Sequence, residues 1–162
     1  MHAISQYQEF FIAYLENQTI RKEPENLYIP IEYILGLGGK RIRPVLTLMA
    51  SEIFDIDCKK ALAAATAVEV FHNFSLVHDD IMDNAPLRRG KETVYKKWNM
   101  PIAILSGDLM MIKATQLLCK TEFADIKELL EVFNKTAIEV CEGQQIDMNF
   151  ETQKNVSHEE YL

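Results

Sequence analysis

Apolar side chains recur at intervals of three and four positions along most of this chain, which is the spacing of one face of an α-helix. Few stretches alternate between apolar and polar residues, as a half-buried strand does. The pattern therefore predicts an all-α fold. The predicted helices cover residues 5–21, 27–37, 44–54, 58–83, 102–120 and 125–149, with a short segment ending at Trp98 between the fourth and the fifth.

Turn and capping residues mark where several of these helices end or begin. Gly36, Gly38 and Gly39 form the strongest stop signal in the sequence, because glycine commonly follows helices and opens loops. Ser157 and Glu160 are three positions apart, as in a capping box, so a helix is expected to begin there. A sequence that stops where a helix begins is expected to be a fragment of a longer domain.

The predicted helix 58–83 is long and rich in alanine. Small side chains let neighbouring helices approach closely, so this helix is expected to lie at the centre of the fold. Its alanines include Ala61, Ala63, Ala64, Ala65 and Ala67. Aromatic and methionine side chains at helical spacing are more often core residues than the walls of a ligand tunnel. We expect core positions for Phe71, Phe74, Met82, Met110 and Met111.

The charge pattern favours a small anionic ligand over a polymer. The 162 residues suffice for one ordinary domain, and a hydrophobic content of 48% can supply its core. A formal net charge of −7 argues against binding nucleic acid through phosphate neutralisation. The basic residues are instead concentrated locally. The two clusters are Lys40, Arg41 and Arg43, and Arg88, Arg89 and Lys91.

The cysteines and the apolar runs bear on the cellular compartment. Cys58, Cys119 and Cys141 are widely spaced and form no CxxC pair, which argues against both a disulfide framework and a zinc site. Reduced cysteines in the cytoplasm are expected. The N-terminal residues lack the features of a signal peptide. No apolar run approaches the roughly 18 residues that a membrane span needs, so no transmembrane segment is expected.

Acidic residues near the end of the long helix form a candidate metal-binding face. Residues advance by about 100° each along a helix, so His72, Asp79 and Asp83 fall within roughly 20° of one line. Asp79 and Asp83 are one turn apart, about 6 Å along the axis, and repel each other unless a cation bridges them. Carboxylate oxygens suit a hard ion, so Mg²⁺ is expected. His78 lies off this line and is expected to be structural.

Three further segments carry candidate binding groups. The loop GGKRIRP (38–44) places cations at the start of a helix, which is good anion-binding geometry, although a solvated basic helix start has the same pattern. The guanidinium groups of Arg88 and Arg89 match phosphate oxygens, with plain exposed charges as the alternative. Gln144 and Asp147, in GQQID (143–147), share one helix face and suit a site wall or a structural hydrogen bond equally.

Taken in order, GGKRIRP, SLVHDDIMD, RRG and GQQID resemble the motifs of the trans-isoprenyl diphosphate synthase, or polyprenyl synthetase, family. The resemblance covers residues 38–147. It implies an isoprenoid synthase-type antiparallel helical bundle and a homodimer. Family members carry a second aspartate-rich motif that this sequence lacks. Residues 1–162 are therefore expected to be the N-terminal half of one such domain, and nearly inactive alone.

The resemblance also implies which side chains bind the substrates. Lys40, Arg43 and His72 would hold the diphosphate of isopentenyl diphosphate, and Arg89 would reach the same group. Gln144 would lie beside the second substrate, an allylic diphosphate.

The catalytic residues implied by the resemblance lie around the acidic face. Asp79 and Asp83 would bind magnesium and, helped by Asp80, form the first aspartate-rich motif of the family. Arg88 would contact the allylic diphosphate, and Asp147 would support the metal cluster. In the implied reaction, magnesium and cations stabilise the departing diphosphate while the isopentenyl double bond attacks the allylic carbocation.

One aromatic residue on the long helix bears on the length of the product. Phe74 stands five positions before Asp79, where the family resemblance associates an aromatic residue with shorter products, so farnesyl or geranylgeranyl diphosphate is expected.

His78 followed by Asp79, with His72 upstream, would also suit an HD-type metal phosphohydrolase, but that function leaves the basic segments unexplained. A terpene cyclase needs no second diphosphate pocket, so Lys40, Arg43 and Arg89 argue against that class of enzyme. A non-catalytic partner subunit is the remaining alternative.

Overall fold

The structure is a computed structural model that describes residues 2–18 and 21–161. It divides into two compact units after Phe123. The first unit contains α1 (Ile4–Glu16), α2 (Glu25–Gly36), α3 (Ile42–Ile53), a 3-10 turn (Cys58–Ala61), α4 (Leu62–Met82), β1 (Leu87–Arg88), β2 (Lys91–Glu92), α5 (Val94–Lys97) and α6 (Met100–Leu118). The second unit contains α7 (Ile126–Thr152) and α8 (His158–Tyr161).

The predicted helical fold is confirmed, with local differences. α1 ends at Glu16, earlier than residue 21, because Asn17 donates a side-chain hydrogen bond of 2.7 Å to the carbonyl of Ala13. Residues 19 and 20 of that predicted helix lie outside the described residues. The predicted helix 58–83 opens with the 3-10 turn, where the side chain of Asp57 accepts a hydrogen bond from the amide of Lys59. The hairpin β1–β2 was not predicted, since two-residue strands are too short to show alternation.

α4 lies at the centre of the first unit, as its alanine content predicts. It contacts α6, α3, α1 and α2. Ala61 in the 3-10 turn and four alanines of α4 are buried, namely Ala63, Ala64, Ala65 and Ala67. Of the five expected core side chains, Phe71, Phe74 and Met110 are buried and Met111 is half-buried. Met82, the last residue of α4, is 43% exposed, so its core assignment was wrong.

α6 corrects one expectation about apolar runs. Its 19 residues are long and apolar enough to cross a membrane by length and composition alone. In the structure α6 packs against α4 and α2, and Ser106 donates a 3.0 Å hydrogen bond to the carbonyl of Leu27 on α2. A core helix meets the same criteria of length and composition, so this finding is weak evidence for a membrane span.

The two helices of the second unit begin with side-chain caps. Asp125 accepts hydrogen bonds of 2.8 and 3.3 Å from the amides of Lys127 and Glu128 at the start of α7. At α8 the amide of Ser157 donates to the carboxylate of Glu160 at 2.9 Å, and the amide of Glu160 donates to Oγ of Ser157 at 3.2 Å. This reciprocal pair is the predicted capping box.

Gly107 marks a close approach between α4 and α6. A Cβ atom at this position would lie 2.6 Å from Cδ2 of His78, well inside contact distance. Nε2 of His78 faces the carbonyl oxygen of Ile104 at 3.3 Å and a carboxylate oxygen of Asp108 at 3.8 Å. His78 therefore packs between two helices, which fits the structural role expected from its position off the acidic face.

Replacing Gly107 with alanine is expected to lower the free energy of unfolding by about 1–3 kcal/mol, because the new methyl group overlaps the imidazole of His78. The change would otherwise stabilise a helix by roughly 0.5–1 kcal/mol. Urea denaturation measures the effect. Gly143→Ala on α7 is the matched control, since nothing lies within 4 Å of its added Cβ. Failure of His78→Ala to relieve the destabilisation of Gly107→Ala would contradict this explanation.

Candidate active site

The loop between α2 and α3 has an unusual backbone that sets the directions of its basic side chains. Gly38 and Gly39 have φ angles of 77° and 128°, and Arg41 has a φ of 50° immediately before α3 begins at Ile42. Left-handed values of this kind favour glycine at positions 38 and 39. Lys40 and Arg43 are exposed on this loop and the first turn of α3, whereas Arg41 is buried.

Arg41 turns inwards and anchors the loop. Its Nη1 forms a short ion pair with the carboxylate of Glu69 on α4, and its Nη2 donates a 2.5 Å hydrogen bond to the carbonyl of Leu35. The side chains of Arg41 and Glu69 are only 7% and 4% exposed. From the sequence, Arg41 was placed in one basic cluster with Lys40 and Arg43, and Glu69 was not singled out. A lone carboxylate in an alanine-rich apolar stretch was the available signal, because buried carboxylates are rarely unpaired.

The hairpin β1–β2 brings Arg89 to this loop. Leu87 pairs with Glu92 and Arg88 with Lys91, which leaves Arg89 and Gly90 as a two-residue turn with φ angles of 52° and 75°. Positive φ at both central positions is the backbone of a tight hairpin turn. Arg89 donates a short hydrogen bond to the carbonyl of Gly38.

Gly39 leaves space for the guanidinium group of Arg89. A Cβ atom on Gly39 would lie 2.9 Å from Cζ of Arg89, so a larger residue would displace that guanidinium. The hairpin and the loop are therefore fitted to each other at this point.

These elements line a cavity of about 410 Å³ that is open to solvent on one side. Its basic and imidazole side chains are Lys40, Arg41, Arg43, His72 and Arg89, and the other lining residues are Gly39, Ile42 and Glu69. Nη1 of Arg43 lies 3.3 Å from Nε2 of His72. The structure thus gathers in one cavity the four residues that the family resemblance assigned to isopentenyl diphosphate, from three separate segments of the chain.

The electrostatics of the cavity favour an anion. Burial and then the charge of Arg43 lower the pKa of His72, so its imidazole is neutral at pH 7. Burial, followed by the charge of Arg41, lowers the pKa of Arg89, which stays protonated as guanidinium groups do in proteins. Cations held close together in this way repel one another, and a bound diphosphate would relieve the repulsion.

Asp79 and Asp83 provide the carboxylates of the predicted metal-binding face. Asp79 is half-buried in the last turn of α4, and Asp83 is exposed immediately after it. Burial, and after it the charge of Asp83, raise the pKa of Asp79, while Arg88 opposes this shift. Two neighbouring carboxylates with this mutual repulsion are a donor set that suits a hard divalent cation, which often completes its coordination with substrate phosphates and water.

Asp80 and Arg88 are bound to each other. Asp80 is fully buried, and Nε of Arg88 donates hydrogen bonds of 2.8 and 3.0 Å to its two carboxylate oxygens. Nη2 of Arg88 lies 2.8 Å from Oδ1 as well. Burial raises the pKa of Asp80, and the hydrogen bond from Arg88 counteracts it. This pair joins the hairpin to α4, so the acidic face and the basic cavity are held by one structural link.

Comparison with known proteins identifies the family of this constellation. The polyprenyl synthetase family matches residues 24–162. The chain belongs to the polyprenyl synthetase family. A geranylgeranyl diphosphate synthase of Methanosarcina mazei is 45% identical over 141 residues, which are 86% of this chain and 44% of that protein. A short chain isoprenyl diphosphate synthase of Methanothermobacter thermautotrophicus is 37% identical over 100% of this chain and 50% of its own length.

Solved structures of polyprenyl synthetases have the same fold. The crystal structure of a geranylgeranyl pyrophosphate synthase matches with a TM-score of 0.95 and 51% identity, over 99% of this chain and 49% of that one. The chain spans about half the length of the curated relatives it matches. Family membership argues against the HD-type phosphohydrolase considered from the sequence.

Gln144 and Asp147, the remaining predicted site residues, lie on α7 in the second unit. Gln144 is half-buried and Asp147 is exposed. The neighbouring Gln145 donates a 3.0 Å hydrogen bond from Nε2 to Oδ1 of Asn149, which is a local contact along the same helix. The roles of Gln144 beside the allylic substrate and of Asp147 near the metal stay predictions.

The lowered pKa of His72 predicts a pH dependence. The unfolded chain binds a proton at His72 near the ordinary value of 6.5, whereas the folded chain resists it, so this histidine destabilises the fold as pH falls below that value. Bound diphosphate should raise the pKa of His72 by compensating the charge of Arg43. NMR titration of the imidazole, with and without inorganic diphosphate, tests both statements.

Arg43→Gln is the matched variant for the titration, because it removes the second cause of the shift and leaves burial in place. The pKa of His72 should then rise in the free protein. An unchanged pKa in this variant, or on addition of diphosphate, would contradict the assignment of His72 to the anion cavity.

Proposed function

We propose that the protein is a trans-prenyltransferase that condenses isopentenyl diphosphate with an allylic diphosphate. The products would be a chain-elongated, short-chain prenyl diphosphate and pyrophosphate. The observation that carries the proposal is the basic cavity of Lys40, Arg43, His72 and Arg89, connected through the hairpin to the carboxylates of α4. This arrangement provides separate groups for two diphosphates in a chain of the polyprenyl synthetase family.

The basic cavity is the proposed site of isopentenyl diphosphate. Its volume of about 410 Å³ accommodates a small diphosphate, and its side chains offer several N–H donors. Neutral His72 accepts a hydrogen bond from Arg43 at Nε2, which leaves its other ring nitrogen as the donor. Arg41 is not proposed to contact the ligand, because its guanidinium group is bound to Glu69 and to the carbonyl of Leu35. It holds the loop so that Lys40 and Arg43 face the cavity.

The carboxylates of Asp79 and Asp83 are the proposed magnesium ligands. Mg²⁺ bound there would supply positive charge beside the departing allylic diphosphate. Arg88 is positioned by Asp80 and would add a guanidinium donor to the same diphosphate through the part of its side chain that is exposed, 25% of its surface. Gln144 is proposed to lie along the allylic substrate. No side-chain base is required, because the released diphosphate can accept the proton.

The product is proposed to be farnesyl or geranylgeranyl diphosphate. Phe74 is buried on α4, with its ring centroid 5.5 Å from that of Phe71 and 4.8 Å from that of His78. The apolar chain is proposed to grow along this side of α4, where the packed rings would limit its length. Both relatives named above are short-chain or geranylgeranyl synthases, which supports this range.

We also propose a cytoplasmic homodimer. Cys58, Cys119 and Cys141 are free thiols in the structure, which is typical of a reducing compartment. Ile104, Leu105 and Ile112 on α6 are 40%, 59% and 58% exposed, and exposed apolar side chains along one helix favour association. Sedimentation equilibrium tests the assembly.

The decisive experiment is a product assay on the complete polypeptide that contains this sequence. Labelled isopentenyl diphosphate is incubated with magnesium and dimethylallyl, geranyl or farnesyl diphosphate. A chain-elongated product supports the proposal, and its size defines the chain length. A folded protein that elongates none of the three would favour the non-catalytic partner subunit. The 162-residue chain alone, assayed in parallel, should show little or no turnover.

A further inference from the structure

A second group of metal-ligating side chains lies apart from the candidate active site. His2 precedes α1, Glu52 is in the last turn of α3, and Cys58 begins the 3-10 turn. One potential ligand atom from each of the three lies within 4.8 Å of the other two. Among the described residues, no other group of three or more metal-ligating side chains has its ligand atoms within this distance of one another. Glu52 is nine positions from Arg43 on the same helix, which is about 13 Å along its axis.

Hydrogen bonds and ring contacts hold the side chains of this cluster in place. Nδ1 of His2 lies 2.5 Å from Oε1 of Glu52, and the hydroxyl of Tyr7 donates a 2.6 Å hydrogen bond to Oε2. The main-chain amide of His2 donates to the same hydroxyl at 3.1 Å. The imidazole also packs edge-on against the rings of Tyr7 and Phe10, at centroid distances of 5.5 and 5.3 Å. Position and orientation of His2 are therefore both restrained.

Burial distinguishes this cluster from ordinary surface groups. Tyr7 is fully buried, Cys58 is 1% exposed, and the side chain of Glu52 is 14% exposed, while that of His2 is 41% exposed. Tyr7 and Cys58 belong to one core cluster with Phe11. The thiol is thus fixed by packing, and the imidazole covers the group from the solvent side.

We propose that His2, Glu52 and Cys58 bind a transition-metal ion of the zinc class. Burial, followed by the hydrogen bond to Glu52, raises the pKa of the Cys58 thiol, so the ion would have to displace the thiol proton, which passes to water. One imidazole nitrogen, one carboxylate oxygen and the resulting thiolate are ligands that zinc accepts in tetrahedral sites, with a water molecule in the fourth position. A thiolate ligand disfavours magnesium and calcium, which prefer oxygen. Tyr7, bound to the second carboxylate oxygen, is the outer-shell group that orients Glu52.

A zinc site at Cys58 differs from the expectation drawn from the spacing of the cysteines. The absence of a CxxC pair argued against zinc, but these ligands come from three segments that meet only in the folded chain. A bound ion would connect residue 2 to the end of α3 and the 3-10 turn, and the folded state would become more stable as the free ion concentration rises above the dissociation constant.

Cobalt titration tests the site, because Co²⁺ replaces zinc and gives an absorption band specific to a thiolate ligand. The chain is used in a Cys119→Ser/Cys141→Ser background, which removes the two exposed thiols. We expect a thiolate-to-cobalt band that saturates at one ion per chain and disappears on addition of Zn²⁺. Asp79 and Asp83 cannot produce this band, so ion binding at the active site does not interfere.

Three further variants make the result decisive. Cys58→Ser should abolish the band, and His2→Ala, which changes an exposed side chain and leaves the core intact, should weaken Co²⁺ binding at least about tenfold. His158→Ala in the second unit is the matched control and should leave binding unchanged. The proposal is overturned by the absence of the band in the background protein, by its persistence in Cys58→Ser, or by unchanged affinity in His2→Ala.

Discussion

Replacing Asp79 and Asp83 together with alanine is expected to abolish magnesium-dependent binding of an allylic diphosphate and to reduce kcat/KM by about a thousandfold or more. Metal coordination contributes several kcal/mol to stabilising a departing anionic group, and each 1.36 kcal/mol corresponds to a factor of ten. Neither carboxylate has the buried ion pair of Asp80, so folding should be preserved. Calorimetric titration of the chain with an allylic diphosphate, with and without magnesium, measures binding, and the complete polypeptide is used for kinetics.

The control for this variant removes two carboxylates elsewhere. Glu9 and Glu16 are both exposed on α1, and Glu9→Gln/Glu16→Gln should leave binding and turnover within about twofold of the wild type, as expected for surface changes. Magnesium-dependent binding that survives in Asp79→Ala/Asp83→Ala would contradict the assigned metal site. The basic cavity should still bind isopentenyl diphosphate in that variant, so the two substrates can be separated.

Glu69→Ala is expected to destabilise the first unit by about 3–5 kcal/mol, the range found when one partner of a buried ion pair is removed. Arg41 would then be a buried charge without its carboxylate partner. Of its two contacts described above, only the hydrogen bond to the carbonyl of Leu35 would remain. The loop that carries Lys40 and Arg43 should loosen as a consequence. Chemical denaturation measures the stability change, and titration with isopentenyl diphosphate measures the loss of affinity.

An exposed ion pair provides the comparison. Arg21 and Glu25 form an N–O contact of 2.7 Å, but their side chains are 56% and 52% exposed. Glu25→Ala should therefore cost less than about 1 kcal/mol. Arg41→Met/Glu69→Leu should recover much of the stability lost in Glu69→Ala, because apolar replacements of a buried pair are often tolerated. If that double variant also bound isopentenyl diphosphate normally, the proposed role of Arg41 in positioning the loop would be wrong.

Much of the fold followed from local signals in the sequence. Helical periodicity located α2, α3, α6 and α7 within a few residues of their ends, and the alanines of α4 indicated its central place. The capping box at Ser157 and Glu160 was predicted from two residues and is present. These features depend on interactions within a turn or two of chain, which sequence spacing describes directly.

The direction of each charged side chain was harder to predict. Asp79 and Asp80 are adjacent, yet one is half-buried on the acidic face and the other is fully buried against Arg88. Likewise Arg41 points inwards between exposed Lys40 and Arg43. Neighbouring residues on a helix or loop point in different directions, and which of them meets a partner depends on segments that approach from elsewhere.

The sequence by itself therefore determined the helical class, the family motifs and the face of α4 that carries Asp79 and Asp83. The tertiary structure alone decided that Arg41 is buried against Glu69, 28 positions away, and that Arg89 meets Gly38, 51 positions away. It also brought His2, Glu52 and Cys58 together. The physical reason is that these contacts join distant segments, whose approach is set by packing of the whole core and leaves no periodic trace in the sequence.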